Sequence, residues 1–236
     1  MWAIETPDVE VFDRACRDQI LNDIFRLRRW WTLRVEPSFH TLGCALYQDG
    51  PEPRFLAERV RASNELLRDH FGAALEDVRS FMLDYVGGEV RWRDDLPLPG
   101  FHIFGADAIA VGETHISPHF DLQFEYAGYP ASVGRDVLSL TIPIQVPTGG
   151  ASLEYWPVDL PEFEMLSRAG EVTAVADILR RHEVRRVWYA TGRPYVQRGL
   201  PLHRIGPSAR VSPGDFRISL QCHAVLDDDD GWIVYW

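Results

Sequence analysis

One short stretch of the chain has residue types and spacing that could hold a metal ion: Ser117-Pro118-His119-Phe120-Asp121. It reads as the end of a β-strand, where side chains at i and i+2 share a face. His119 and Asp121 can then point at one ion while Phe120 turns away into packing. An imidazole and a carboxylate make two-thirds of a 2-His-1-carboxylate set, which takes three positions on one side of a ferrous ion and leaves three open. The tripeptide alone is weak. With 8 His and 35 Asp plus Glu in 236 residues, roughly one His-x-acid arises by chance, so the surroundings carry the case. His115 stands at helical metal-pair spacing from His119, but Pro118 between them argues against a helix.

The third ligand must come from elsewhere in the chain. A late histidine, His203, lies in Leu202-His203-Arg204-Ile205, and further on comes Phe216-Arg217-Ile218-Ser219-Leu220. In this order and context the chain resembles the Fe(II)/2-oxoglutarate-dependent dioxygenases. Their double-stranded β-helix, a jelly roll, carries His-x-Asp after its second strand, a distal His on its seventh and an Arg, often as Arg-x-Ser, on its eighth. The likeness spans roughly residues 100 to 225, with one helix counted as an insertion.

The resemblance implies that His119, Asp121 and His203 are the catalytic iron ligands. It implies that Arg217 and Ser219 clamp the far carboxylate of 2-oxoglutarate, the co-substrate. The implied activity is hydroxylation or desaturation of a small molecule, such as an amino acid or specialised metabolite, with O2. Halogenation is not expected, because the related iron halogenases carry Gly or Ala where this chain has Asp121. The residue chemistry agrees: imidazole and carboxylate suit ferrous iron, and a guanidinium fork matches a carboxylate in two parallel hydrogen bonds. On a strand, Arg217 and Ser219 share a face.

Other candidates rank lower. Arg61-Ala62-Ser63 repeats the tripeptide inside a predicted helix, and Arg210 lies in a Pro- and Gly-rich turn. Gln123, one alternate residue past Asp121, and Tyr155, after Gly149-Gly150, are candidates for substrate contact. The acidic run Asp227 to Asp230 lacks the alternating ligands of a calcium loop and reads as a solvated turn. Two other readings stay open on the residues alone: a jelly-roll protein that holds a small ligand without turnover, and a cupin-type metal enzyme that does not use 2-oxoglutarate. Neither gives Arg217 and Ser219 a task.

The elements that must position these residues fall into two regions. Thr6-Pro7-Asp8 looks like a helix start, and Phe12, Cys16, Ile20 and Ile24 recur every fourth residue as its apolar face. A strand is expected over His40 to Tyr47. From Arg54 to Tyr85 the spacing predicts two helices broken near Gly72 and stopped by Gly87-Gly88. Residues 1–99 are thus expected to be mainly helical.

After Leu96-Pro97-Leu98-Pro99-Gly100 come short strands: Phe101 to Phe104, Thr114 to Pro118, Val137 to Val146, Ala151 to Trp156, Arg186 to Tyr189, Pro194 to Gln197, Leu202 to Ile205, Asp215 to Val225 and Trp232 to Trp236. One helix, about residues 161–182, interrupts them. The expected fold class is α+β with a mainly β core: a jelly-roll, cupin-like catalytic unit over 100–236, with N-terminal helices packed against it in a single domain of 1–236.

A net charge of −11 argues against nucleic acid or an anionic membrane as partner and favours a small molecule. Three scattered cysteines without Cys-x-x-Cys spacing fit a reducing cytoplasm. No stretch reaches the ~18 apolar residues of a membrane span, and the start carries no signal-peptide pattern. The oligomeric state is not legible in the residues.

Overall fold

Strict alternation along the later strands sends polar residues to one face of a sheet and apolar residues to the other, and the tertiary structure uses both faces. The computed structural model describes residues 2–35, 38–50, 56–110, 117–129, 136–227 and 231–236. In chain order the elements are β1 (Ala3–Glu5), α1 (Arg14–Arg26), a 3-10 turn (Arg28–Trp30), β2 (Thr32–Val35), β3 (Phe39–Leu42), α2 (Leu46–Asp49), α3 (Leu56–Val86), β4 (Val90–Trp92) and β5 (Gly100–Gly105). There follow α4 (Ala106–Ile109), α5 (Gln123–Tyr126), β6 (Val137–Gln145), β7 (Ser152–Asp159), α6 (Leu160–Arg168), α7 (Val175–Arg181), β8 (Arg185–Trp188), β9 (Tyr195–Arg198), β10 (Pro201–Gly206), β11 (Phe216–Asp227) and β12 (Gly231–Tyr235).

Among the described residues nine strands form one sheet in the order β1-β9-β6-β11-β5-β3-β2, with β12 on β11 and β4 beside β12; β10-β7-β8 form a second sheet. The long β11 is its spine. It pairs β6 along most of its length, β5 over its first half and β12 over its second. The outward residues Leu138, Leu140, Ile142, Ile218, Leu220 and Cys222 join Ile20 and Ile24 of α1 and Leu67, Leu75, Val78 and Met82 of α3 in one buried cluster. At about 1.5–3 kcal/mol for each large apolar side chain, this cluster holds the helices to the sheet. The opposite face of the sheet is turned to the small sheet, and this is a jelly roll.

Several local expectations are corrected. Helix α1 starts at Arg14, not after Thr6, because the Asp13 carboxylate accepts from the Cys16 N–H at 2.8 Å and caps it. The residues before it are claimed by β1, which pairs with β9, and by bonds from the Val11 and Phe12 N–H groups to Gly192 O. Gly192 has φ +79°, and a Cβ there would stand 2.1 Å from Phe12 O, so only glycine fits.

The strand expected over His40 to Tyr47 ends at Leu42, where Gly43 turns at φ +115° and α2 takes Tyr47. The two helices expected from Arg54 to Tyr85, broken near Gly72, are found within α3: its helical backbone is interrupted at Phe71 (φ −128°, ψ 19°), and Gly87 follows at φ +65°. The single helix over 161–182 is two, separated at Gly170 with φ +73°. Both pack on the outer side of the small sheet, against Trp156, Val158 and Leu202. The N-terminal third is less helical than expected, since β1, β2, β3 and β4 extend the large sheet. Residues 114–116 of the strand expected before the His119 motif lie outside the described residues, as do His115 and Asp228 to Asp230.

Candidate metal centre

His119, Asp121 and His203 come together although 84 positions separate the first from the last. His119 does not lie in a ladder strand. It makes an isolated antiparallel bridge to His203, with His119 N–H donating to His203 O at 2.9 Å and His203 N–H to His119 O at 3.1 Å. Each ring is then aimed from its far side. His119 Nδ1 lies 2.9 Å from Ser117 O, and His203 Nδ1 lies 2.9 Å from Pro201 O. A carbonyl only accepts, so both rings carry their proton on Nδ1 and present a bare Nε2, the form a metal needs. The two Nε2 atoms stand 3.7 and 3.6 Å from the oxygens of Asp121, and one ligand atom from each residue lies within 4.8 Å of the others.

The carboxylate is held by two donors. Ser139 Oγ donates to Oδ2 at 2.6 Å and Gln123 Nε2 to Oδ1 at 3.3 Å. Burial would raise the Asp121 carboxyl, but the imidazoles of His203, His223 and His119 and the Ser139 hydroxyl outweigh it and hold the group well below the usual carboxylate range. Burial lowers His203 and keeps it neutral, ready to ligate. Gln123 thus reaches the centre as expected, although the chain has turned into α5 by then.

These residues open on a cavity of about 420 Å³ between the two sheets. Thr141, Gln197, Gln221 and His223 line it from the large sheet, and Leu153, His203 and Ile205 from the small one. Its lining is also aromatic, with Phe39 and Phe104 stacked 4.2 Å apart, and includes the exposed Tyr126. Tyr155 does not line it; its ring packs edge-on to Trp2, 6.0 Å away, although it pairs in register with His203.

Sequence reasoning missed Tyr47, His102, Ser139, Tyr189 and His223. The signal for His223 was present as a polar stripe, Arg217, Ser219, Gln221 and His223, on alternate positions of β11. His102 is fully buried on β5, with Nε2 2.8 Å from the Tyr47 hydroxyl. Burial, aided by the charges of His223 and Arg217, pushes it down to about 3.

No family model matches this chain, and no curated protein matches it. Solved structures do. An N-substituted L-amino acid dioxygenase from Burkholderia ambifaria superposes with a TM-score of 0.56 at 14% identity, over 96% of this chain and 84% of that one. The non-heme α-ketoglutarate-dependent epimerase SnoN of nogalamycin biosynthesis gives 0.55 at 14%, over 95% and 78%. HygX from Streptomyces hygroscopicus, solved with nickel and 2-oxoglutarate bound, gives 0.51 at 13%, over 94% and 81%. The fold is that of the Fe(II)/2-oxoglutarate-dependent oxygenases.

Beyond the metal-binding group, the interior holds a second set of buried polar donors. Arg217 is 2% exposed, and its Nε and Nη2 have no protein acceptor, nor does the Ser219 hydroxyl. Its Nη1 donates to Ser152 O at 3.3 Å, and its guanidinium lies 4.9 Å from the centroid of the Tyr189 ring that lines the cavity, with the Tyr189 side chain favouring its charged form. Burial lowers the Arg217 pKa. Orphaned donors of this kind are costly unless an anion meets them. Arg210 is exposed on a turn and Arg61 sits on α3, so neither competes for this place.

Proposed function

We propose that this protein is an Fe(II)- and 2-oxoglutarate-dependent oxygenase that hydroxylates or desaturates a small molecule. One observation carries the reading: two imidazole Nε2 atoms and a carboxylate oxygen converge in one cavity, and against Tyr189, a residue of its lining, lies a buried guanidinium whose Nε and Nη2 have no protein acceptor. His119, Asp121 and His203 would hold the metal, and Arg217 with Ser219 the distal carboxylate of 2-oxoglutarate. The chemistry supplied by that pair when bound is oxygen activation coupled to decarboxylation, giving succinate, carbon dioxide and removal of hydrogen from a C–H bond.

The protein's own part is position and dryness. Backbone carbonyls lock the two imidazoles in the ligating form, Ser139 and Gln123 fix the carboxylate, and the two sheets keep bulk water from the co-substrate. Residues 1–236 act as one catalytic unit in this reading, because α1 and α3 cover the outer face of the sheet that carries Arg217. A net charge of −11 disfavours polyanionic substrates, and the cavity volume suits a metabolite. No described helix is long and apolar enough to cross a membrane. A reducing cytoplasm is the compartment proposed here, in which the three free cysteines stay as thiols.

The test is anaerobic addition of Fe(II) and 2-oxoglutarate to the purified protein. The expected result is a weak visible charge-transfer band that needs both. No band at saturating concentrations would refute the reading.

A further inference from the structure

The hydrogen bonds around Asp121 determine what a primary substrate has to bring, given the oxygenase reading on which this inference rests. An ionised carboxylate only accepts, so the groups touching it turn their donors toward it. Gln123 commits its Nε2 and Ser139 its single hydroxyl proton. The Ser139 oxygen must then accept from its other neighbour, His223 Nδ1 at 3.0 Å, which stands directly opposite on β11. His223 therefore carries its proton on Nδ1 and keeps Nε2 as a bare lone pair. Gln123, with its nitrogen committed, is left with Oε1, which is buried and has no protein partner. Both residues line the cavity beside the metal-binding group. Asp121 thus polarises its surroundings, with donors turned inward and acceptors left over for the cavity.

We propose that Gln123 Oε1 and His223 Nε2 form an acceptor pair that selects a primary substrate bearing hydroxyl or amine donors, a small polyol or amino alcohol, close to the carbon that is oxidised. A substrate offering only ether or carbonyl oxygens would leave both acceptors unmet, and that mismatch discriminates more strongly than a gained or lost methylene.

The test uses the full chain loaded with Zn(II), which is redox-inert, and 2-oxoglutarate. Binding of cis-1,2-cyclohexanediol and of its dimethyl ether is followed by saturation-transfer NMR. The diol should bind at least about five-fold more tightly than the ether, one hydrogen bond's worth of discrimination. His223→Leu and Gln123→Leu should each reduce the diol to the ether's affinity, measured with Zn(II) and 2-oxoglutarate at concentrations that saturate each variant. Should His223→Leu not fold, Ser139→Ala replaces it: with the imidazole proton free to move to Nε2, the preference for diol over ether should narrow. Equal binding of the ether, no binding of the diol, or a preference untouched by these variants would overturn the acceptor pair while Zn(II) and 2-oxoglutarate still bind. A wild type that binds neither Zn(II) nor 2-oxoglutarate would overturn the oxygenase reading itself, and this inference with it.

Discussion

Replacing Arg217 by Met should separate binding from stability in opposite directions. In the wild type the guanidinium is buried, makes a long hydrogen bond at 3.3 Å and stacks 4.9 Å from the Tyr189 ring centroid. Losing these contacts costs about 1 kcal/mol for the hydrogen bond and about 1–2 kcal/mol for the cation–π contact. Against that, two unpaired buried donors, Nε and Nη2, are removed at a relief of about 1–3 kcal/mol each, and a desolvated charge goes with them. The midpoints of these ranges leave the ligand-free variant about 1.5 kcal/mol more stable than the wild type. For a chain of this length that is a rise of roughly 3 to 6 °C in Tm.

Binding of 2-oxoglutarate should move the other way. Without a charge-assisted pair worth about 1.5–3 kcal/mol, its Kd should rise roughly 10- to 150-fold while Fe(II) affinity is kept. Anaerobic calorimetry with Fe(II) present measures the first quantity, and melting without metal or co-substrate measures the second. A 2-oxoglutarate Kd within three-fold of wild type would remove Arg217 from the clamp. A ligand-free protein that melts 5 °C lower would make the guanidinium structural.

His119→Ala and His203→Ala should each abolish tight Fe(II) binding, since two remaining ligands do not fix a facial geometry; equilibrium dialysis showing wild-type affinity would strike that histidine from the site. His102 is lowered to about 3 in the folded state against an ordinary 6.5, so between these values the unfolded chain binds the extra proton and stability falls as pH drops. Urea unfolding at pH 6, 5 and 4 should lose about 1.4 kcal/mol per pH unit from this group, and His102→Phe should flatten the slope by that amount; an equal slope in the variant would show that His102 is not the source. In bromide buffer, product mass spectrometry should find hydroxylated or desaturated product from the wild type, because Asp121 as an iron ligand would take the position a halide needs; a brominated major product would remove Asp121 from the proposed ligands.

What the sequence determined by itself was the order of chemical types and the elements with long local patterns. His119-x-Asp121 could be nominated by spacing, and the resemblance to the dioxygenases then nominated His203 and Arg217-x-Ser219. The strands β5, β6, β7 and β11 and the helix α3 could be drawn to within a few residues, because period-2 alternation and 3.6-residue periodicity are local properties. The strands β1, β2 and β4 could not, since three or four residues carry too little alternation to separate them from a loop, and they exist only because a neighbouring edge completes their hydrogen bonds.

The rest was decided by register. The polar stripe of β11 nominates one parity for the cavity, but only the pairing of His223 with Ser139 brings that serine and histidine together beside Asp121. Tyr155 shows the same rule from the other side, being in register with His203 yet drawn to Trp2 by packing. Tyr47 and His102 are 55 positions apart and meet only after α2 and β5 are docked. Spacing can nominate a ligand, but which polar atoms are left unpaired depends on contacts between distant strands, and those exist only in the folded chain.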